Sequence, residues 1–109
     1  MRNTEKNKTD RVNIMVTIVI KEAYINAIGH AEDKETCALF SSLCTTISNL
    51  LELAGEPECV PLLVDGHFYM ALDKIQTDKG LFLADGFKNN LHILAEQYPN
   101  SFKIIDYTK

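Results

Sequence analysis

A long apolar stripe at helical spacing constrains the fold of this chain more than any other feature of its sequence. Apolar side chains recur here at steps of three and four, which places them on one face of a helix. The stripe consists of Cys37, Phe40, Cys44, Ile47, Leu51 and Ala54. Asp33 or Thr36 suits the N-cap, and Gly55 before Pro57 suits the C-terminal end. The sequence therefore predicts a long amphipathic helix.

Segments rich in apolar or β-branched residues predict strands around this helix. They are residues 12–20, 23–29, 60–64, 67–72 and 101–107. Asp65 and Gly66 join the third and fourth segments, because this pair readily supplies the positive φ angles of a type I′ hairpin turn. A second helix is predicted over residues 82–98, where Pro99 ends it, and residues 73–80 are predicted to form a loop.

The predicted order is strand, strand, helix, strand, strand, helix, strand. Hairpins that alternate with single helices are typical of an α+β two-layer sandwich. We therefore predict a mainly antiparallel sheet with both helices on one face, in one domain over residues 12–109. The other sheet face and the apolar first strand would stay exposed, so we expect a homodimer that covers them. Residues 1–11 contain one apolar side chain and are expected to be a disordered tail.

Composition argues against several classes of protein. The formal net charge is −4 and no basic face is evident, so no nucleic-acid partner is expected. The longest apolar run, residues 14–20, is far shorter than the roughly 20 residues of a membrane span, so no membrane partner is expected. Cys37, Cys44 and Cys59 lack disulfide-scaffold spacing, and because the N-terminus is polar and charged we expect no secretory signal. These features favour a soluble, cytoplasmic protein with free thiols.

His30 and Cys37 are the residues that could carry chemistry. The thiolate is the nucleophilic form of cysteine, and the unpaired N–H groups of a helix start favour it at Cys37. His30, at the end of the preceding strand, could act as base for the thiol and later as acid for a leaving amine. Asp33 or Glu35 could orient the imidazole. Ser41, one helical turn after Cys37, could hydrogen-bond near the thiol.

A purely structural interpretation of the same residues stays open at this point. Cysteine is among the most buried residue types, and Cys37 lies on the same stripe as Cys44. A zinc site is disfavoured, because two helical turns separate these cysteines by about 10 Å. His67 is expected to be an exposed ring at the start of the return strand, and His92 to lie on the solvent side of the second helix. We expect no metal and no cofactor.

Two short motifs are similar to those of a known family. Gly29-His30-Ala31 ends a predicted strand, and Cys37-Ala38 opens a helix with Ser41 four residues after the cysteine. Near the C-terminus, Ala95-Glu96-Gln97-Tyr98-Pro99 ends the second helix before Phe102-Lys103-Ile104. With this order of elements, the sequence resembles the ribosomal-processing cysteine proteases known as Prp, over most of the chain.

The resemblance implies a homodimeric cysteine endopeptidase that works through a Cys-His dyad. Cys37 would be its nucleophile and His30 its general base, in a cysteine-protease-like domain. The implied substrate is the precursor of a large-subunit ribosomal protein, which would lose a short N-terminal extension. The family's loop between the two residues is longer, contains glycine and has an aspartate where this chain has Lys34. One alternative is therefore a catalytically weak or inactive homologue that acts as a peptide-binding or assembly module.

Overall fold

The structure of the protein is a computed structural model that describes residues 15–31 and 33–109. Within these residues the elements are β1 (Val16–Ile20), β2 (Tyr24–Ile28), α1 (Lys34–Leu53), β3 (Leu62–Val64), β4 (His67–Ala71), α2 (Asp78–Gln97) and β5 (Phe102–Asp106). A short 3-10 turn, Leu72–Lys74, follows β4. This order of strands and helices confirms the predicted one. The predicted tail at residues 1–11 and the predicted strand residues 12–14 lie outside the described residues.

The strands form one sheet in the order β3-β4-β2-β1-β5. Antiparallel pairing joins β3 to β4, β4 to β2 and β2 to β1, whereas β1 and β5 run parallel. The sheet is therefore mainly antiparallel, as predicted. The parallel pair is possible because α2 is a crossover connection between β4 and β5. After this crossover, β5 runs in the same direction as β4 and β1.

The core lies on one face of the sheet, and both helices pack against that face. On β1, Val16, Ile18 and Ile20 are buried and alternate with partly exposed residues, as expected for a strand with one covered face. The helices contribute to the same cluster Phe40, Cys44, Ile47, Leu51, Ala84, Phe87, Leu91 and Leu94. The predicted two-layer arrangement is thus confirmed.

The opposite face of the sheet is open and partly apolar. Register places Leu62 opposite Tyr69, and both Val64 and Ile28 opposite His67, so these side chains share the open face. Ile28 is 57% exposed, Leu62 60% and Val64 50%. A contiguous apolar patch of this kind is typical of an interaction surface.

The apolar helix α1 would be long enough to cross a membrane by length and composition alone. Core helices of soluble proteins meet the same criteria. In this fold Phe40, Cys44 and Leu51 of α1 are buried in the core. Leu39, Leu50 and Leu53 of the same helix are exposed.

Helix α2 begins at Asp78 rather than at the predicted Phe82, so the predicted loop before it is wrong over its last residues. Thr77 is the N-cap, and its hydroxyl oxygen accepts a hydrogen bond from the Gly80 N–H at 3.0 Å. The buried carboxylate of Glu56 accepts a further hydrogen bond from the Thr77 N–H at 2.8 Å. A side-chain cap and a distant carboxylate thus stabilise a helix start whose glycine lowers the local helix propensity.

The turn between β3 and β4 also differs from the predicted type. Gly66 has a φ of +74°, whereas no other residue type in the described part of the chain has a positive φ. A type I′ turn needs positive φ at both central residues, so this prediction is wrong for Asp65. One glycine is sufficient to close the hairpin.

Candidate active site

The candidate site forms where the end of β2 lies beside the β3–β4 turn. β2 and β4 pair antiparallel along their whole length, and the pairing continues past their ends. The Gly29 N–H donates a hydrogen bond to the Gly66 carbonyl oxygen at 2.9 Å. The next two residues in this register are His30 and Asp65. A histidine that ends one strand and an acid in a hairpin turn therefore meet because of sheet register.

Gly29 allows the chain to leave the sheet directly into His30. Its φ is +113°, a conformation that is strained for any residue with a Cβ. A Cβ at this position would also collide with the carbonyl oxygen of Met15. Both the backbone conformation and the available space therefore require glycine immediately before the histidine.

The imidazole of His30 lies against the Asp65-Gly66 turn. Its Nε2 is 3.5 Å from the Asp65 Oδ1 atom, and a Cβ built on Gly66 would come within 2.8 Å of the same nitrogen. The His30 side chain is 53% exposed and that of Asp65 is 97% exposed. An ion pair this open to water contributes little to stability.

Cys37 reaches the same place from the start of α1. Asp33, one of the two predicted candidates, is the N-cap, and its Oδ1 atom accepts a hydrogen bond from the Glu35 N–H at 2.8 Å. Its carbonyl oxygen accepts the Cys37 N–H at 3.1 Å. The thiol thus lies just past the first turn, where its own N–H is already engaged. The Cys37 side chain is partly buried and packs against the edge of the core.

A pocket of about 230 Å³ joins these groups. Its polar wall contains His30, Cys37 and Ser41, which the sequence predicted to act together, and also Asp65. The apolar wall is formed by Val16, Ala27, Phe40, Leu63, Val64 and Phe68. A thiol, an imidazole, a hydroxyl and a carboxylate therefore line one largely apolar cavity. A nucleophile, a base and an acid that can orient the base are the elements of a cysteine-nucleophile site.

The other two residues predicted to support the site have different surroundings. Besides its capping bond, Asp33 accepts a hydrogen bond from the Thr36 hydroxyl at 3.2 Å through Oδ2. Glu35 is exposed in the first turn of α1. Neither side chain lines the pocket as the described residues define it. Their role in orienting His30 stays a prediction, whereas Asp65, for which the sequence predicts only a turn, is in contact with the ring.

The two remaining cysteines belong to the core. Cys44 and Cys59 are buried, and all three thiols of the chain are free. Burial raises the pKa of the Cys44 thiol to about 12. Burial, with a smaller contribution from the nearby Glu56 carboxylate, also raises the pKa of Cys59. Cys37 is therefore the accessible thiol.

The two remaining histidines are each paired with one side chain. His67 is exposed at the start of β4, as predicted, and its Nε2 lies 2.7 Å from the Asn26 Oδ1 atom. His92 is not on the solvent side of its helix, because it is half-buried and its Nε2 lies 2.7 Å from the Asp106 Oδ2 atom. Within residues 15–31 and 33–109, no cluster of three or more potential ligands could hold a metal ion.

No family model and no curated protein matches this sequence. Solved structures are similar in fold. The protein SMU.848 from Streptococcus mutans superposes with a TM-score of 0.64 at 22% identity, covering 84% of this chain and 91% of that one. The essential ribosomal processing protease Prp from S. aureus, with a covalently linked product peptide, superposes with a TM-score of 0.62 at 20% identity. The match covers 85% of this chain and 98% of that one. The same protease with a substrate peptide superposes with a TM-score of 0.59 at 16% identity, covering 84% of this chain and 97% of that one.

The similarity extends over nearly the whole length of these proteins, while few residues are identical. It therefore shows a common fold, and the resemblance that the two sequence motifs indicate is confirmed at that level. The chain has the fold of the ribosomal processing protease Prp.

Proposed function

We propose that this protein is a cysteine endopeptidase in which Cys37 is the nucleophile and His30 the general base. The observation that carries the proposal is the single pocket that holds both side chains, between the end of β2 and the start of α1. The common fold supports it, because Prp from S. aureus has been crystallised with a substrate peptide and with a covalently linked product peptide.

The chemistry requires two proton transfers in each half of the reaction. His30 takes the thiol proton of Cys37, and the thiolate forms a C–S bond with the carbonyl carbon of the peptide. The tetrahedral oxyanion collapses, the C–N bond breaks, and the imidazolium gives its proton to the leaving amine. Water then attacks the thioester while His30 accepts its proton. The C–S bond breaks, the proton returns to sulfur, and the acid product leaves.

The substrate that we propose is the precursor of a large-subunit ribosomal protein that carries an N-terminal extension. Support comes from the fold shared with a protease named for ribosomal processing and from the sequence motifs. The apolar pocket wall, which includes Leu63, Val64 and Phe68, suits an extended peptide with apolar side chains near the scissile bond. The net charge of −4 would favour encounter with a basic ribosomal protein.

We also propose that the protein is a cytoplasmic homodimer. The open sheet face supports the dimer, because Ile28, Leu62 and Val64 are at least half exposed on one side of the sheet. Free thiols at all three cysteines suit a reducing compartment. Light scattering on the pure protein, with Leu62→Lys as the variant, tests the dimer: we expect the variant to be monomeric.

The protease proposal is tested by incubating the pure protein with the extended ribosomal protein of its own host and measuring intact masses. We expect loss of the N-terminal peptide with the wild type and no loss with Cys37→Ala. Cys59→Ala, which removes a buried thiol away from the pocket, is the matched control and should still cleave. A folded wild-type protein that leaves the extension intact would contradict the proposal.

The second candidate function is a peptide-binding or assembly module. The short connection between β2 and α1 favours it, because Asp33 already caps the helix five residues after Ile28 ends the strand. Titration calorimetry with the same peptide separates the two functions. A wild type that binds the peptide without cleaving it, and whose Cys37 reacts with iodoacetamide like a simple thiol, would favour the module.

A further inference from the structure

We propose that the Asp65-Gly66 turn is the element that positions the His30 imidazole for proton transfer with Cys37. This inference rests on the proposed peptidase function and adds a positioning element to it. It assigns to the β3–β4 hairpin a role that the sequence motifs place in the loop before Cys37.

Gly66 provides the surface against which the imidazole lies. A Cβ at this position would meet three ring atoms of His30, Nε2 at 2.8 Å, Cδ2 at 3.4 Å and Cε1 at 3.6 Å. The ring therefore occupies the space that a side chain at this position would need. The hydrogen bond from the Gly29 N–H to the Gly66 carbonyl oxygen, at 2.9 Å, fixes the backbone before His30 to this same residue. Turn and histidine thus form one unit.

Asp65 acts on the orientation and the charge of the ring. Its Oδ1 atom is 3.5 Å from His30 Nε2, so the carboxylate favours a proton on that nitrogen. Nδ1 is then left to accept the proton of the thiol. During acyl transfer the ring is an imidazolium, and the same carboxylate stabilises its positive charge. A bound peptide that excludes water from the pocket would strengthen this interaction.

Few other charged groups line the described part of the pocket around His30. The described titratable side chains that line the pocket are His30, Cys37, Asp65 and His67. His67 is engaged with the Asn26 side chain. Asp65 is therefore the only carboxylate among the described residues of the pocket wall.

The chain provides a matched control for the glycine. Gly55 and Gly66 have almost the same φ, +78° and +74°, but a Cβ at Gly55 would meet nothing within 4 Å. Alanine at either position imposes the same backbone strain, so we expect both variants to lose about 5 °C in Tm. Only Gly66→Ala displaces the His30 ring. We expect its kcat to fall about tenfold or more, with KM nearly unchanged, while Gly55→Ala stays within about twofold of wild type.

The carboxylate is tested by the rate of iodoacetamide alkylation of Cys37 at about pH 6.5 relative to about pH 9.5. This ratio reports activation of the thiol without any substrate, and the buried Cys44 and Cys59 contribute little. We expect Asp65→Ala to lower the ratio about threefold and Asp65→Glu to restore most of it. Asp73→Ala, an exposed aspartate just past the other end of β4, should leave the ratio unchanged.

The outcomes separate this inference from the proposed function. The positioning role alone is overturned if the wild type cleaves its substrate and the turn variants behave like their controls. In that case Gly66→Ala has the kcat of Gly55→Ala, and Asp65→Ala has the alkylation ratio of Asp73→Ala. A wild-type thiol that shows no enhanced reactivity at the lower pH overturns both proposals. A reduced kcat in Gly66→Ala and a reduced ratio in Asp65→Ala, with cleavage by the wild type, support both proposals.

Discussion

The protein contains two histidine–aspartate pairs whose geometries differ. His92 Nε2 lies 2.7 Å from Asp106 Oδ2, and the two side chains are 24% and 8% exposed. His30 Nε2 lies 3.5 Å from Asp65 Oδ1, and these two side chains are 53% and 97% exposed. The shorter and more buried pair lies beside pockets whose described walls contain no cysteine, whereas the longer and exposed pair shares a pocket with Cys37.

The two acids also have different further partners. The Asp106 Oδ1 atom accepts hydrogen bonds from the N–H and the hydroxyl of Thr108, at 2.8 and 2.6 Å, so both carboxylate oxygens are engaged. This arrangement ties the end of β5 to α2. Among the described residues, His30 is the ion-pair partner of Asp65. The tight pair therefore joins two elements of the fold, whereas the exposed pair is the one that lies beside a thiol.

The largest expected effect is on activity, and it comes from removing His30 and not His92. His30→Ala should lower kcat about a thousandfold, because a general base contributes about 10² to 10⁴ to the rate. His92→Ala should leave kcat within about twofold and lower the free energy of unfolding by about 1 to 2 kcal/mol. Peptide cleavage assays and urea titrations on both variants measure the two effects. A reversed result would mean that the tighter pair is the catalytic one.

Removing each aspartate should have unequal consequences for stability. We expect Asp106→Ala to lower the free energy of unfolding by about 2 kcal/mol, because it leaves hydrogen-bond donors of Thr108 and His92 without their charged acceptor. Urea titration with intrinsic tyrosine fluorescence measures this loss. Equal destabilisation by Asp65→Ala would contradict the distinction between a structural pair and a positioning pair.

The response to acid should separate the pairs as well. Burial opposes ionisation of Asp106, but hydrogen bonds from Thr108 and His92 outweigh it and lower the pKa of its carboxyl from 3.8 to about 2. A lowered folded-state pKa stabilises the protein above the unfolded value, and this stabilisation is lost as the pH falls from about 4 to about 2. We expect wild type to lose stability in this window more steeply than Asp106→Asn.

The measurement for this prediction is the urea midpoint at several pH values. Glu56, whose pKa is lowered chiefly by its hydrogen bond with Thr77, contributes to acid sensitivity in every variant, so the difference between variants is the quantity to compare. Asp65→Asn is the control and should follow the wild-type curve. Parallel curves for wild type and Asp106→Asn would show that the Asp106 pair does not contribute to acid sensitivity.

The smallest expected effect is that of Asp65→Ala on the fold. Because its carboxylate is exposed, we expect a change of less than about 0.5 kcal/mol in the free energy of unfolding. The same variant should still lower the reactivity of Cys37. A measured stability loss well above this value would mean that the turn depends on the Asp65 side chain.

The sequence by itself determined the order of the elements and the C-terminal end of α1, and it limited the N-cap to Asp33 or Thr36. The stripe on α1, the cap at Asp33 and the glycine at position 55, with its φ of +78°, all reflect interactions between residues close in the chain. Such local preferences act before any tertiary contact forms. The short connection after His30 also placed the histidine and Cys37 near each other, and one pocket contains both.

Only the tertiary structure decided which acid lies beside His30. Asp65 reaches the ring because β2 and β4 pair in a register that continues through Gly29 and Gly66. The early start of α2 likewise depends on Glu56, which is distant in sequence from the residues it binds. Strand register and long-range hydrogen bonds result from the packing of the whole sheet and its helices, which local sequence patterns do not encode.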